Sequence, residues 1–288
     1  MQINQNSLNN RCLIGIDLGA TNLRVARISG KRIQQLENEK IVKSNDPSDL
    51  LFQIERMIQK IKTDHVEAIG FGVPSVVDVD EGIVYDVQNI RGWDEVPVKE
   101  IFENKFDRPV YVNNDSNCFV LGEKFFGKGR GYDTIVGLTL GSGFGSGLIL
   151  NDQLYYGENC GAGEVGMLPY KKSIFEHYCS GMFFEREYGI PGEQVFKNAS
   201  KGDSHSKRIY EEYGKHLANG IKAVLYAFDP QIIILGGSIS RAYHYFNEAM
   251  LDGLENFAYP NSLKNLKIMV SELKEASVLG AAALAQIK

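Results

Sequence analysis

Residues 13–28 read LIGIDLGATNLRVARI, and this segment is the clearest indication of the fold. Residues 13–18 and 23–28 are short runs rich in apolar and β-branched side chains, and the turn between them begins at Gly19. Apolar runs of this length on either side of a small-residue turn are typical of a β-hairpin. Because Asp17 stands where the first strand meets its turn, the stretch predicts a tight hairpin with a carboxylate at its end.

The segments after this hairpin alternate between strand and helix patterns. Residues 31–43 continue as a third extended segment. Apolar side chains then recur at helical spacing from Leu50 to Ile61, after a helix start at Pro47, and residues 66–73 form an apolar strand. The order β-β-β-α-β predicts a mixed α/β protein.

The second half of the chain begins in the same way. A strand pattern over residues 133–140 leads into the glycine series GSGFGSG at 141–147, which predicts a second glycine-turn hairpin. We therefore expect two similarly built α/β units with a cleft between them. The predicted division is a small domain at residues 1–116, with a C-terminal helix of about 277–288 packing back on it, and a large domain at 117–276.

Composition excludes several classes of protein. The chain has 288 residues, of which 43% are hydrophobic and 23% charged, so it can bury a sizeable core. The formal net charge is -5 without any basic block, which argues against a nucleic-acid partner. No apolar run approaches the ~20 residues of a membrane span, so no membrane association is expected.

The cysteine pattern and the first residues indicate a compartment. The four cysteines are widely separated without a CxxC pair: Cys12, Cys118, Cys160 and Cys179. Such spacing suits reduced thiols better than a disulfide framework. The first ten residues are polar and do not form a secretory signal, so we expect a cytoplasmic protein.

The two glycine hairpins predict a phosphate site. Their small residues allow backbone N–H groups to approach an anion closely, and Thr21 and Ser142 can add hydroxyl donors. Asp17 is suited to hold Mg²⁺, which takes one or two carboxylates together with water and substrate phosphates. The alternative is that the glycines only form tight turns. This alternative is less attractive for two such hairpins in one chain than it would be for a single hairpin.

These residues resemble those of the ROK family of ATP-dependent sugar kinases. Residues 17–22, DLGATN, look like the first phosphate motif of the family, and residues 140–145, LGSGFG, look like the second. Residues 234–238, ILGGS, resemble the segment that flanks the adenosine. The resemblance implies an α/β fold of the actin/Hsp70/hexokinase-like (ribonuclease H-like) type, a two-lobed ATPase fold. It also implies ATP and Mg²⁺ as cofactors. The implied cofactor-binding residues are Asp17, Gly19, Thr21, Asn22, Gly141, Ser142, Gly143, Gly236 and Gly237, with Mg²⁺ bound to Asp17 through water.

Other segments resemble the sugar-side motifs of the same family. The resemblance implies that Asp115, in residues 113–117 (NNDSN), is the general base. The implied sugar-binding residues are Ser75, Asn89, Asn114, Glu164 and Glu176. The alternative for Asp115 is that it only caps the helix that follows, because Asp is favoured at such positions.

The sequence departs from the family where a structural zinc is usual. Family members follow a Gly-Glu-Ile-Gly-His segment with a CxCGxxGC stretch, and the His and three Cys bind zinc. Here Met167 stands in place of the His, and residues 168–174 contain no Cys. Since zinc needs four such ligands, no structural zinc is expected. Met167 also leaves open which hydroxyl pattern of the sugar is recognised.

The resemblance implies ATP-dependent phosphorylation of a hexose, of the glucokinase or hexokinase type at the 6-hydroxyl. Fructose, allose, mannose and N-acetylmannosamine remain alternative substrates. A sugar-responsive repressor is less favoured, because only residues 1–11 precede the first strand and a helix-turn-helix domain would not fit there. A non-catalytic sugar-binding ROK protein is the third alternative. The resemblance also implies a homodimer.

Overall fold

The computed structural model describes residues 11–44, 46–87, 90 and 92–287. The strands are β1 (Cys12–Leu18), β2 (Asn22–Ser29), β3 (Arg32–Lys40), β4 (Ala68–Val73), β5 (Val76–Asp78), β6 (Ile83–Tyr85), β7 (Glu95–Pro97), β8 (Val110–Asn114), β9 (Ile135–Leu140), β10 (Phe144–Leu150), β11 (Gln153–Tyr155), β12 (Pro169–Tyr170), β13 (Ser173–Ile174), β14 (Ile232–Gly236) and β15 (Lys267–Val270). The helices are α1 (Pro47–Ile61), α2 (Val98–Phe106), α3 (Asp115–Phe126), α4 (Glu176–Cys179), α5 (Met182–Tyr188), α6 (Gly192–Ser200), α7 (Ser204–Phe228), α8 (Tyr243–Leu254), α9 (Pro260–Asn265) and α10 (Ala276–Ala283).

The first sheet has the strand order β3-β2-β1-β4-β8. Strands β1 and β2 form the predicted hairpin, the third extended segment pairs antiparallel with β2 as β3, and β4 and β8 run parallel to β1. Every residue of β1 after Cys12 is buried, as expected for a central strand covered on both faces. Helix α1 begins after Asp46, whose side chain accepts a hydrogen bond from Ser48 N at 2.8 Å, with Pro47 in its first turn.

The second sheet repeats this plan with the order β11-β10-β9-β14-β15. In both sheets the first strand of the hairpin lies between its hairpin partner and a later, parallel strand: β1 lies between β2 and β4, and β9 lies between β10 and β14. A further parallel strand, β8 or β15, lies beyond that later strand. The repeat agrees with the two glycine hairpins of the sequence. Strands β5, β6 and β7 form a small separate sheet, and β12 pairs with β13.

Helix α10 lies in a groove lined by glycine. A Cβ atom on Gly15 of β1 would lie 2.0 Å from Val278 O, and one on Gly70 of β4 would lie 1.8 Å from Ala281 O. Gly280 of α10 approaches α3 equally closely. Side chains larger than hydrogen therefore have no space at these positions, and the helix packs backbone to backbone against the first sheet and α3.

By the density of its contacts the chain divides into two compact units. Unit 1 contains the described residues within Met1–Asp133, Gly147–Ala162 and Glu272–Lys288, and unit 2 contains Thr134–Ser146 and Gly163–Ser271. The predicted boundary between residues 116 and 117 falls inside α3, which belongs whole to unit 1 because it packs against β4, β8 and α10. Within the described part of the chain, no helix is both long and apolar enough to cross a bilayer.

Candidate active site

The carboxyl ends of three parallel strands of unit 1 gather predicted site residues. Asp17 of β1 pairs in register with Gly72 of β4, and Gly72 pairs with Asn113 of β8. Ser75 and Asp115 follow the ends of β4 and β8. Because parallel strands end at the same edge of a sheet, this edge collects a buried carboxylate, amides and a second carboxylate.

Asp115 is the first residue of α3, and it does not cap that helix. The N-cap is Asn114, whose side chain accepts a hydrogen bond from Ser116 N at 2.8 Å. The alternative that Asp115 serves only as the cap is therefore wrong. Its carboxylate is half-buried, and its Oδ1 accepts a hydrogen bond from Ser116 Oγ at 3.3 Å.

Gly72 allows the start of α3 to approach the sheet. A Cβ atom on Gly72 would lie 3.1 Å from Cys118 Sγ and 3.6 Å from the Cα of Asp115. A larger side chain would push α3 away from β4. The glycine therefore helps to hold Asp115 at the edge of the sheet.

Two predicted sugar ligands of unit 1 make local hydrogen bonds. The hydroxyl of Ser75 donates to Tyr85 O, and Asn114 Nδ2 donates to Ser75 O at 3.3 Å. These bonds fix the loop after β4 beside the start of α3. Asn89, the third predicted ligand of this unit, lies outside the described residues.

The first glycine hairpin presents Asp17 next to a guanidinium group. Gly19 N donates to Asn22 O at 3.0 Å and closes the turn, and Thr21 is exposed at its tip. Arg24 lies opposite Asp17 in the register of β1 and β2, and its Nη1 is 3.0 Å from Asp17 Oδ2. This ion pair was not among the features predicted from the sequence.

The carboxyl group of Asp17 is costly to ionise in the fold. It is 7% exposed, and burial raises its pKa above 3.8 despite the opposing charge and hydrogen bond of Arg24. Glu275 adds a smaller upward shift, and its Oε2 lies 3.6 Å from Arg24 Nε. A raised pKa means that stability is lost as the pH rises through the folded value.

We expect Asp17→Asn to raise the thermal midpoint of the nucleotide-free protein at neutral pH, because the variant has no buried charge to ionise. The advantage should shrink as the pH falls and vanish below 3.8, because wild-type Asp17 is then protonated in both the folded and the unfolded state. Thermal melts over this range in a metal-free buffer measure the difference. A variant that melts below the wild type at neutral pH would contradict this reading of Asp17.

The turn of the second glycine hairpin lies in unit 2 and is supported by Glu176. Gly141 N donates to Gly143 O at 3.0 Å, and Gly181 N donates to Gly141 O at 2.7 Å. Glu176, the first residue of α4, accepts a hydrogen bond from Phe144 N at 3.0 Å. One oxygen of this predicted sugar ligand is therefore engaged with the glycine turn, whereas Ser142 is exposed.

The segment predicted to flank the adenosine adjoins the same hairpin. Gly236 ends β14, and Gly237 has a φ of +82°, a conformation that strongly favours glycine. A Cβ atom on Gly237 would lie 2.3 Å from Leu140 O, immediately before Gly141. The two glycine segments thus meet at the carboxyl ends of β9 and β14.

A cavity of about 730 Å³ opens beside these glycines, entirely within unit 2. Its volume is in the range of small-molecule sites. The lining residues are Gly141, Ser142, Gly181, Met182, Phe184, Glu185, Gly192, Glu193, Phe196, Tyr210, Ser238, Ile239, Arg241 and Ala242. The glycine side of this cavity was predicted from the sequence. Its aromatic wall was not, because Phe184, Phe196 and Tyr210 come from three different helices and share no local motif.

Glu164 precedes a short turn of 3₁₀ helix, Val165–Met167. Its side chain reaches solvent, yet desolvation by the surrounding atoms raises its pKa above 4.5, and the negative charge of Glu176 adds to the shift. The charge of one predicted sugar ligand of unit 2, Glu176, therefore disfavours ionisation of the other, Glu164. A hydroxyl group that donates a hydrogen bond to such a carboxylate would stabilise its charged form.

Aromatic rings pack the segment where the family's zinc ligands would occur. Tyr170 stacks on Phe175 with ring centroids 4.4 Å apart, and its hydroxyl lies 3.0 Å from His216 Nδ1. Cys179 is fully buried, and His177 Nδ1 contacts Ser173 Oγ. No group of three or more His, Cys, Asp or Glu side chains suited to a metal occurs in the described part of the chain.

Comparison with known proteins gives the family. The ROK family model matches residues 13–288. The glucokinase of Thermotoga maritima is 30% identical over 94% of this chain and 96% of its own length, and an N-acetyl-D-glucosamine kinase of Haemophilus influenzae is 28% identical over 94% and 98%. A ROK glucokinase of Streptomyces griseus, solved in complex with glucose and AMPPNP, shares the fold with a TM-score of 0.81 and 24% identity, covering 95% of this chain and 98% of the other. These likenesses confirm the predicted α/β fold of the actin/hexokinase-like type, and the chain belongs to the ROK family.

Proposed function

We propose that this protein is an ATP-dependent sugar kinase that phosphorylates a hexose hydroxyl, with Asp115 as the general base. The observation that carries the proposal is the position of Asp115, at the start of α3 on the sheet edge that also holds Asp17. Relatives along nearly the whole chain are named as sugar kinases, which supports the same chemistry here.

The role of Asp115 follows from the nature of phosphoryl transfer. The transition state is loose, so the enzyme contributes mainly by aligning the reactants and neutralising charge. A carboxylate held near the acceptor hydroxyl takes its proton as the new O–P bond forms. Since Asn114 caps the helix, the Asp115 side chain does not have to serve that structural purpose.

The nucleotide is proposed to bind in the cavity of unit 2. Rings of Phe184, Phe196 and Tyr210 offer an apolar wall for a base, and the Gly141–Ser142 turn offers backbone N–H groups and a hydroxyl for phosphates. The Streptomyces griseus relative was solved with the ATP analogue AMPPNP, which supports ATP as the donor.

Asp17, in unit 1, has the donor chemistry that Mg²⁺ requires. It supplies one carboxylate, buried among polar neighbours, and Mg²⁺ is commonly bound by one or two carboxylates together with substrate phosphates. When bound there, the ion would neutralise phosphate charge. Arg24 orients the Asp17 carboxylate through its 3.0 Å contact, and the exposed Thr21 adds a hydroxyl at the turn.

The acceptor is proposed to be glucose at its 6-hydroxyl, and the proposed sugar-binding residues are Ser75, Asn89, Asn114, Glu164 and Glu176. Amides and carboxylates suit a ring that carries several hydroxyl groups, because an unmatched hydroxyl pattern leaves buried polar groups unpaired. Met167 is 58% exposed beside the Glu164 turn, where an apolar side chain offers no hydrogen bond. Fructose, allose, mannose and N-acetylmannosamine are the competing acceptors.

A coupled assay of ADP release over a panel of hexoses and N-acetylhexosamines tests this proposal. We expect Mg²⁺-dependent turnover that is fastest with glucose. Fastest turnover with another sugar would reassign the acceptor, whereas no turnover with any sugar would refute the kinase proposal. Light scattering on the same preparation tests the proposed homodimer.

A further inference from the structure

Cys160 adopts a backbone conformation that normally favours glycine. Its φ is +57°, in the left-handed region, where a side chain crowds the backbone. The side chain is nevertheless present and only 2% exposed. A non-glycine residue in such a conformation points to a use for its side chain.

The thiol of Cys160 belongs to a hydrogen-bonded cluster centred on Asn113 Oδ1. This oxygen accepts hydrogen bonds from Cys160 Sγ at 3.2 Å, Asn117 Nδ2 at 2.9 Å and Asn114 N at 2.8 Å. Asn117 Nδ2 also lies 3.7 Å from Cys160 Sγ, so the three side chains close a triangle. Asn113 and Asn117 are each 1% exposed, and hydrogen bonds at such a buried site are strong and directional.

The donors in this cluster flank Asp115 along the chain. The amide of Asn114 precedes Asp115 directly, and Asn117 follows it by two residues on the first turn of α3. The oxygen of Asn113 therefore holds the junction of β8 and α3 by hydrogen bonds to residues on both sides of the proposed base. Asn117 Oδ1 is buried without a hydrogen-bond donor among the described residues, so the amide contributes to the cluster through its nitrogen.

Cys160 joins this junction to a distant part of the chain. It lies in the part of unit 1 formed by Gly147–Ala162, after β11, whereas the other members are on β8 and α3. Among the residues that the structure describes, the other donors to the Asn113 oxygen come from its own neighbourhood in sequence. The thiol is thus the contact that fixes the orientation of the Asn113 side chain from outside.

We infer that Cys160 is a positioning residue for Asp115, acting through the Asn113 amide oxygen. The inference rests on the proposed role of Asp115 as general base. The thiol donates to Asn113, the Asn113 side chain holds the junction, and the junction sets the direction of the Asp115 carboxylate. No direct contact of Cys160 with substrate is required.

Cys160→Gly and Cys160→Ser separate positioning from simple stability. Glycine removes the donor and also relieves the left-handed strain, so the thermal midpoint should stay within a few degrees of the wild type while kcat falls about 10- to 100-fold. The KM for ATP should be unchanged, since the proposed nucleotide cavity lies wholly in unit 2, so the loss should appear in kcat. Serine keeps a donor at the same place and should restore most of the kcat.

Asp107→Gly is the matched control. Asp107 also has a left-handed conformation, with a φ of +50°, and it ends α2 on the surface of the same unit. This variant should be at least as stable as the wild type and fully active. The same behaviour from Cys160→Gly would overturn the inference, as would a folded Cys160→Ser as slow as the glycine variant.

Asp115→Asn, measured alongside, distinguishes the two proposals. If Asp115→Asn is inactive and Cys160→Gly is unaffected, only the positioning role fails. If Asp115→Asn retains full turnover, the proposed role of Asp115 as general base is wrong, and the positioning role of Cys160 that rests on it is wrong as well. Hydrogen exchange of the Asn114 amide adds a readout independent of activity, and it should speed up in Cys160→Gly and be normal in Cys160→Ser.

Discussion

Asp115→Asn is expected to lower kcat by about 10²- to 10⁴-fold, the usual contribution of a positioned general base. The amide has nearly the shape of the carboxylate, but it cannot take the hydroxyl proton. Nucleotide binding should persist, because the proposed nucleotide cavity lies wholly in unit 2. Sugar binding should persist as well, because the proposed sugar-binding residues are other side chains. Steady-state ADP release measures kcat, and calorimetric titration with sugar and a non-hydrolysable ATP analogue measures binding.

Asp107→Asn is the control for this experiment, since it makes the same chemical change at an exposed aspartate of unit 1. It should leave kcat unchanged. The thermal midpoint of Asp115→Asn should remain near that of the wild type, because Asn114 provides the helix cap. Undiminished turnover in Asp115→Asn would remove Asp115 from the proposed role.

Gly280→Ala is expected to lower the free energy of unfolding by more than any other substitution named above. In an unobstructed helix, replacing Gly by Ala gains about 1 kcal/mol. Here the added Cβ would lie 1.7 Å from Cys118 O and 2.7 Å from Gly122 N, both of them backbone atoms of α3. The two helices would have to separate, and overpacking of this kind costs about 1–3 kcal/mol or more, a large part of a typical total of 5–15 kcal/mol.

Denaturation by urea gives the free energy of unfolding for this comparison. Gly161→Ala is a suitable control, because a Cβ atom at Gly161 meets no atom within 4 Å. We expect this control to unfold at the same urea concentration as the wild type. A Gly280→Ala variant as stable as the control would show that α3 and α10 can move apart without loss.

The sequence was informative where a feature is local. The hairpin of residues 13–28 follows from two apolar runs and a glycine turn, and its register places Asp17 opposite Arg24. That ion pair was predictable, because residues equally distant from the centre of a hairpin face each other across its strands. The glycine repeat at residues 141–147 likewise indicated the second hairpin and the repeated sheet order.

Features that depend on distant segments were not predictable in this way. The aromatic wall of the nucleotide cavity combines Phe184, Phe196 and Tyr210, which only tertiary packing brings together. The left-handed conformation of Cys160 has no signature in its neighbours, because cysteine does not favour it. The inclusion of α3 in unit 1 depends on its packing with α10, more than 140 residues later in the chain, rather than on local propensity.

The glycine-lined groove also affects how the polypeptide matures during synthesis. The ribosome releases β1, β4 and α3 early, but the helix that fills their shared groove emerges only after unit 2, because about 150 residues separate Phe126 at the end of α3 from Ala276 at the start of α10. At typical elongation rates this interval is roughly 8–30 s. During that time the nascent chain exposes the apolar, glycine-lined groove. Exposed apolar surfaces of this kind are bound by chaperones and promote aggregation.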